Sequence, residues 1–316
     1  MGKLIRMYNQ NRGKFWIIVL IIVFGLVMIS LFDNVAKKQN EENAKKIAQE
    51  SNDTEKNKYY NESKSMVTGT DVPGSVKNDF GSLIENFLNY CKNHEPEKAY
   101  GLLSSDCKKT LYPEEWLFEQ QYYKSKFSTS KRYSFQSWTA SDTYIYLVKI
   151  FDDMLSTGTG SSQKYIQDYF SVVQENGEYK LNINGFIKKE YIGKSTSKND
   201  VTITIKEKNV YMDYSTYSIG IKNNSNKTVV LDSNRDTNTI YVVDGKNMKT
   251  EAMVYENDTE DFKIKAGKEK QIEIKFGESY QENNYINKIV FEDFYFDSNS
   301  INYGVNNEKI EVNLKD

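Results

Sequence analysis

The sequence predicts a single N-terminal transmembrane helix, then an α+β domain, and then a C-terminal all-β sandwich. Three observations support this fold class. An uncharged run near the N-terminus is long enough to span a bilayer. Apolar residues at helical spacing give way, further along, to strands of alternating aromatic residues. The last third holds many short strand patterns and no helical stretch.

Composition limits the classes of protein that fit. Hydrophobic residues make up 38% of the 316 residues, and 42 basic side chains face 44 acidic ones. That balance excludes a polytopic membrane protein. The 24 Tyr and 16 Phe supply enough apolar material for about two globular domains.

The predicted transmembrane helix runs from Phe15 to Phe32, 18 residues without a charge. At ~1.5 Å per residue it is about 27 Å long, close to the thickness of the hydrocarbon core. Four basic residues and no acidic one precede it, namely Lys3, Arg6, Arg12 and Lys14. By the positive-inside rule, residues 1–14 are cytoplasmic and the C-terminal domains are extracytoplasmic. We therefore expect a single-pass protein of the cell membrane.

A cleaved signal peptide is the alternative for this segment. The run exceeds the usual ~7–15-residue apolar region, and no A-x-A site follows it. No Cys follows it closely enough for lipidation, because the first is Cys91. Without the four N-terminal basic residues, 38 basic side chains face 44 acidic ones, so we expect neither nucleic acid nor anionic lipid as a partner of the exported part.

Residues 33–79 read as a polar tether that is rich in Asn, Lys, Glu and Ser. The α+β domain is placed at 80–193. Its first part predicts three helices, with Pro96 and Pro113 in first-turn positions. Its second part predicts four strands in an antiparallel meander, with a tight turn at Asn176-Gly177.

The phrases LIENFLNYCKNHEPEKAYGLLS and YFSVVQENGEYKLNINGFI, within residues 80–191, resemble the nuclear transport factor two (cystatin-like) cone fold. The second phrase is similar to the spacer domain of methicillin-resistance penicillin-binding proteins. The resemblance implies a curved sheet wrapped around helices.

A linker is predicted at 193–200, and about eight short strands follow in residues 200–316. They predict a β-sandwich. The phrases IKNNSNKTVVLD and IKAGKEKQIEIKF resemble immunoglobulin-like (telokin-like) domains of envelope proteins from low-GC Gram-positive bacteria. The resemblance implies the sandwich alone.

Ser-x-x-Lys, the nucleophile motif of penicillin-recognising enzymes, occurs four times. The S-D-N and K-T-G companions that the chemistry needs are absent. We therefore expect no acyl-enzyme and no catalytic residue of this type. The four pairs are Ser105/Lys108, Ser128/Lys131, Ser161/Lys164 and Ser195/Lys198.

Asp232, Asn234 and Asp236 alternate like the first half of a calcium loop. Thr237 replaces the turn Gly and Val243 replaces the bidentate Glu, so a solvated loop and no metal site are expected. His94 is the only His, and it lies between two predicted helices, where we expect it to cap a helix C-terminus.

A cone-fold enzyme would use a carboxylate in a cavity. Candidate cavity-lining residues are Trp116, Tyr122, Trp138, Tyr144, Tyr146, Asp168 and Tyr169. Aromatic residues at alternating positions are more typical of a core, and no acid among them is assigned a catalytic role.

Cys91 and Cys107 lie in neighbouring helical segments. An exported location permits a disulfide between them. Buried thiols are the alternative, and the sequence leaves both open.

The sequence thus favours a non-enzymatic, membrane-tethered scaffold or interaction protein of the cell envelope, with an envelope protein as partner and no cofactor. Its layout is similar to that of a scaffold subunit of type IV secretion and conjugation machines, although the appended sandwich departs from that plan. The alternative is a small-molecule sensor or accessory enzyme that uses the cavity of the cone-fold domain.

Overall fold

The computed structural model describes residues 64–140, 142–153, 165–231, 239–253, 262–280, 285–296 and 308–315. All the described residues belong to one compact unit, Tyr59–Asp316. The predicted transmembrane segment and most of the predicted tether lie outside the described residues. Among the described helices, none is both long enough and apolar enough to cross a membrane.

Helices form the first part of this unit, and they exceed the three that the sequence predicts. They are α1 (Gly74–Lys92), α2 (Pro96–Gly101), α3 (Ser105–Leu111), α4 (Glu115–Phe118), a π-helical turn (Glu119–Tyr123) and α5 (Lys124–Phe127).

Two helix starts test the proline assignments. Pro96 is the first residue of α2, as predicted. The first-turn assignment of Pro113 is wrong, because Glu114 is the N-cap residue of α4 and has an extended backbone with φ −123° and ψ 141°. The helix therefore begins after Glu114, and Pro113 lies outside it.

Helix α1 buries one face. Its buried residues are Phe80, Ile84, Phe87, Leu88 and Cys91, which recur every three or four positions and therefore share a side of the helix. The π-helical turn lets adjacent residues, Tyr122 and Tyr123, both face inward. The helices thus present a continuous aromatic surface to the sheet.

A four-stranded antiparallel sheet covers the helices, and the predicted meander is confirmed by the strand order β1-β2-β3-β4. The turn between the last two strands is the predicted one, with Asn176 at φ 52° and Gly177 at φ 85° and Glu175 paired with Glu178. The strands are β1 (Lys131–Ala140), β2 (Tyr144–Asp152), β3 (Tyr165–Glu175) and β4 (Glu178–Asn182).

The predicted linker at 193–200 is wrong, because most of it is strand. Strand β5 (Phe186–Lys198) continues through it and pairs with β6 (Val201–Tyr211) as far as Lys198 and Val201. Asn199 and Asp200 form the turn with φ of 50° and 62°. The residues of this segment are polar because β5 is an edge strand, so solvent reaches much of it.

In the described part of the C-terminal region, the regular elements are strands, as predicted. Strand β5 joins a four-stranded sheet in the order β12-β7-β6-β5, and a six-stranded sheet has the order β10-β9-β13-β8-β11, with β14 paired to β13. The remaining strands are β7 (Ser215–Asn223), β8 (Val229–Val230), β9 (Ile240–Asp244), β10 (Lys249–Glu251), β11 (Lys263–Ile264), β12 (Glu269–Phe276), β13 (Ile286–Phe296) and β14 (Glu308–Asn313).

Two large apolar cores form, one under the helices and one between the two C-terminal sheets. A smaller cluster of Ile145, Ile187, Val210 and Met212 joins β2 to β5 and β6. Backbone hydrogen bonds from Met212 N to Gly185 O and from Tyr280 N to Met212 O, both 2.9 Å, add to this junction. The α+β region and the β region are therefore packed into one compact unit.

Candidate functional site

The candidate cavity residues of the α+β region are mostly part of its core. Tyr122 and Tyr146 are fully buried, and the Tyr122 ring lies 6.1 Å from that of Phe87. Trp138 contacts Tyr169 edge to face at 5.5 Å. Trp116 is an exception, with 58% of its surface exposed. The interpretation of these aromatic residues as core is thus confirmed for Tyr122 and Tyr146 and is wrong for Trp116.

Asp168, the acid among these candidates, is buried and held by several donors. It accepts hydrogen bonds from Tyr122 Oη at 2.9 Å and from Lys126 Nζ at 2.7 Å, and from the backbone N–H of Tyr169 at 2.7 Å. Burial, and then the neighbouring Asp168 carboxylate, raise the pKa of Tyr122 well above its usual value. This cluster is an ion pair whose carboxylate is buried and whose lysine is half-buried at the edge of the core, and its groups are engaged with one another.

His94 caps a helix C-terminus, as predicted. His94 follows α1 and has a φ of 62°. Its backbone N–H donates a hydrogen bond to Cys91 O at 3.4 Å, and the backbone N–H of Glu95 donates one to Tyr90 O at 2.8 Å. These are the two hydrogen bonds of a Schellman motif. The His94 Nδ1 atom also lies 2.5 Å from Tyr123 Oη, which ties the helix end to the π-helical turn.

In the three described Ser-x-x-Lys pairs, the lysine is not seen bonded to the serine. Ser195 and Lys198 lie three apart on strand β5, so they point to opposite faces. Lys131 is paired with Asp152, and Lys108 Nζ lies over the Tyr100 ring at 4.6 Å. Ser161/Lys164 lies outside the described residues.

The half calcium loop at 232–236 also lies outside the described residues. Val243, at the position of the missing bidentate ligand, is buried in β9. Within the described ranges, no three His, Cys, Asp or Glu side chains gather closely enough to hold a metal ion.

Cys91 and Cys107 are both buried, free thiols. The structure therefore has the thiol form of the two alternatives. Burial raises the pKa of Cys91 above its usual value, and burial raises that of Cys107 to about 12. Neither thiol is poised for reaction at neutral pH.

A cleft of about 540 Å³ lies where the β1–β2 turn meets the β region. No sequence signal marks this site, because its residues are spread from Asp142 to Lys315 and share no local motif. Charged side chains line much of it, namely Asp142, Lys188, Glu190, Lys208, Asp244, Lys246, Lys249, Glu278 and Lys315.

One group of cleft residues forms a nearly buried ion pair. Lys208 Nζ lies 2.5 Å from Glu278 Oε2, and Tyr217 Oη donates to Glu278 Oε1 at 3.0 Å. Burial, and then the adjacent Glu278 carboxylate, raise the pKa of Tyr217 well above its usual value. These three groups satisfy one another and fix β6, β7 and the segment after β12 at the cleft wall.

A second group joins the α+β region to the β region. Asp142 accepts hydrogen bonds from Tyr280 Oη at 2.5 Å and from Lys188 Nζ at 3.1 Å, and Lys188 Nζ also lies 3.0 Å from Glu190. Burial opposes ionisation of Asp142, but the hydrogen bonds from Tyr280 and Lys188 outweigh it and lower its pKa. The carboxylate thus holds the β1–β2 turn against the β12 end and β5.

Comparison with known protein families, with curated proteins and with solved structures found no match for this chain. The geometry of the fold and of the cleft is therefore what bears on its function.

Proposed function

We propose that this protein is a non-enzymatic, membrane-tethered interaction protein of the cell envelope, anchored through Phe15 to Phe32. The observation that carries the proposal is the state of Asp168, the acid among the candidate cavity residues. Asp168 is bonded to Tyr122 and Lys126 within a core filled by aromatic rings. A general base needs a free site next to its substrate, and this arrangement supports packing instead.

The proposal includes the finer fold assignment. Helices followed by an antiparallel meander support a cystatin-like cone domain, and two sheets around a shared core support an immunoglobulin-like sandwich. Both are folds that serve many functions. Their role here is to present surfaces at a distance from the membrane.

A second candidate function is the binding of a small molecule, and the cleft favours it. Its volume of about 540 Å³ lies within the range typical of ligand sites. Most of its inner charged groups are already paired, however, among them Lys188, Lys208 and Glu278. This observation favours an interaction surface over a small-molecule pocket.

The test separates tethering from turnover. In a deletion strain, we expect the full chain to restore the wild-type phenotype. We expect no such restoration from a secreted form, in which a cleavable signal peptide replaces residues 1–32. A chimera with an unrelated transmembrane helix in place of Phe15–Phe32 is the matched control and should succeed. Complementation is measured together with the amount of each protein in the envelope.

The enzymatic alternative makes the opposite predictions. Ser105→Ala and His94→Ala should both leave complementation intact under the interaction hypothesis. Full complementation by the secreted form, or a loss of function in either variant at normal protein abundance, would contradict the proposal.

A further inference from the structure

We propose that one wall of the cleft docks an extended acidic peptide segment of a partner protein. The wall consists of Lys246, Lys249 and Lys315, and we refer to these three residues as the lysine wall. The inference rests on the interaction function proposed above, and it specifies the chemistry of the partner.

The charge of the lysine wall is uncompensated within the described part of the chain. The other cleft lysines, Lys188 and Lys208, are ion-paired, whereas among the described residues no ion pair involves the lysine wall. Lys249 Nζ lies 4.1 Å from the ring centre of Tyr241, and Lys315 Nζ lies 5.8 Å from that of Tyr285. Contacts with neutral rings leave the positive charge available to a carboxylate ligand.

Asp244, two residues before Lys246, is bound to the backbone through one carboxylate oxygen. Its Oδ1 accepts hydrogen bonds from the N–H groups of Lys246 and Met248, both at 2.8 Å. Asn287 Nδ2 donates to Asp244 O at 3.1 Å, and Gly245 N donates to Tyr285 O at 2.9 Å. The turn that carries Lys246 is therefore fixed before a ligand binds, which lowers the entropy cost of binding.

Apolar side chains beside the lysine wall favour a peptide over a phosphate polymer. Met248 and Tyr285 are 65% and 69% exposed, and both line the cleft. A peptide brings apolar side chains to cover them together with carboxylates for the lysines. An anionic wall polymer would supply the charge alone.

The backbone next to the lysine wall offers a place for an extended chain. Strand β10 lies at one end of the six-stranded sheet, where it pairs with β9. The chain directly after β10 is bound to β12 by the bridge of Ala252 with Phe276 and the hydrogen bond from Met253 N to Lys275 O at 2.7 Å, so the edge is open toward the Lys249 end of the strand. An edge strand presents backbone N–H and C=O groups to an added strand. Lys249 and Thr250 of β10 both line the cleft, so an added strand would pass directly beside the lysine wall.

The experiment uses the full chain in mild detergent and a fluorescent peptide of about eight residues in which Glu and Val alternate, a length that matches a typical strand. Fluorescence anisotropy measures the dissociation constant. We expect saturable binding that weakens as salt rises from 50 to 300 mM, because the lysine wall is exposed. The triple variant Lys246→Glu, Lys249→Glu, Lys315→Glu should weaken binding at least about tenfold.

The matched control makes the same change of charge at the far end of the β region. The three control lysines are exposed, namely Lys227, Lys265 and Lys268. They lie near Asn223, at one end of β7, whereas the cleft contains Ser215, at the other end of that strand. Lys227→Glu, Lys265→Glu, Lys268→Glu should bind within about twofold of the parent chain. Thermal unfolding of both triple variants verifies that they are folded.

Three results would overturn the inference: no saturable binding to the parent chain, equal weakening in the two triple variants, or equal binding of a peptide in which Lys replaces Glu. Polyphosphate serves as the competing ligand. If it binds as tightly as the peptide, and if Met248→Ser weakens the binding of both ligands equally, the choice of a peptide is overturned. None of these results bears on the need for tethering. The inference can therefore fail while the proposed function stands.

Discussion

At the scale of single residues, the two cysteines show how burial sets chemistry. Cys91 and Cys107 lie in the core with no exposed surface, and burial disfavours their thiolate forms. In the unfolded chain a thiol ionises near pH 8.5. The unfolded state therefore binds fewer protons than the folded state above that pH, and stability must fall as pH rises.

We predict that the free energy of unfolding decreases by about 1.4 kcal/mol per thiol between pH 7.5 and pH 9.5. Denaturant titrations of the full chain in detergent, with a reductant present, measure this decrease. Cys107→Ala should make this decrease smaller by the contribution of one thiol, whatever its stability at pH 7.5. Buried tyrosines such as Tyr122 and Tyr217, whose pKa values are also raised, supply the smaller decrease that remains in the double variant Cys91→Ala, Cys107→Ala. A decrease in the double variant that equals that of the parent chain would contradict this account.

At the scale of elements, the β3–β4 turn shows a local signal that determines a local structure. Asn176 and Gly177 both have positive φ, which the type I′ turn of a two-residue hairpin requires. The turn sets the register in which Val172 pairs with Leu181, and Leu181 belongs to the core under the helices. A change at the turn therefore acts on the packing of the whole sheet.

We predict that Gly177→Ala lowers the free energy of unfolding by about 1–2 kcal/mol, because an L-residue is strained at φ 85°. Gly81→Ala is the control, since Gly81 lies within helix α1. A Cβ at either position would meet no atom within 4 Å, so the two sites differ in backbone conformation. Gly81→Ala should raise stability by about 0.5–1 kcal/mol, and equal effects at the two glycines would refute the explanation.

At the scale of the molecule, strand β5 belongs to both regions. Phe186 packs in the core under the helices, and the strand then pairs with β6 through Lys198. The hydrogen bond from Tyr280 to Asp142 adds a connection between the regions. Two cores that share a strand are expected to lose their structure together.

We predict one unfolding transition for the whole described unit. In a Trp16→Phe chain, the remaining tryptophans, Trp116 and Trp138, report on the α+β region, whereas far-ultraviolet circular dichroism reports on all strands. The two midpoints should coincide in denaturant. Tyr280→Phe should lower the shared midpoint without separating the two curves, and two resolved transitions would show that the regions unfold independently.

The sequence by itself predicted the elements whose signals are local. Alternation placed β1 to β4, Asn176-Gly177 marked their last turn, and helical spacing found the buried face of α1. It misread 193–200 as a linker, because a polar edge strand looks like a loop until its partner is known. The pairing of β5 and the lysine wall were decided by tertiary structure, since Asp142, Lys188, Lys246 and Lys315 meet around one cleft only after strands far apart in the chain have paired.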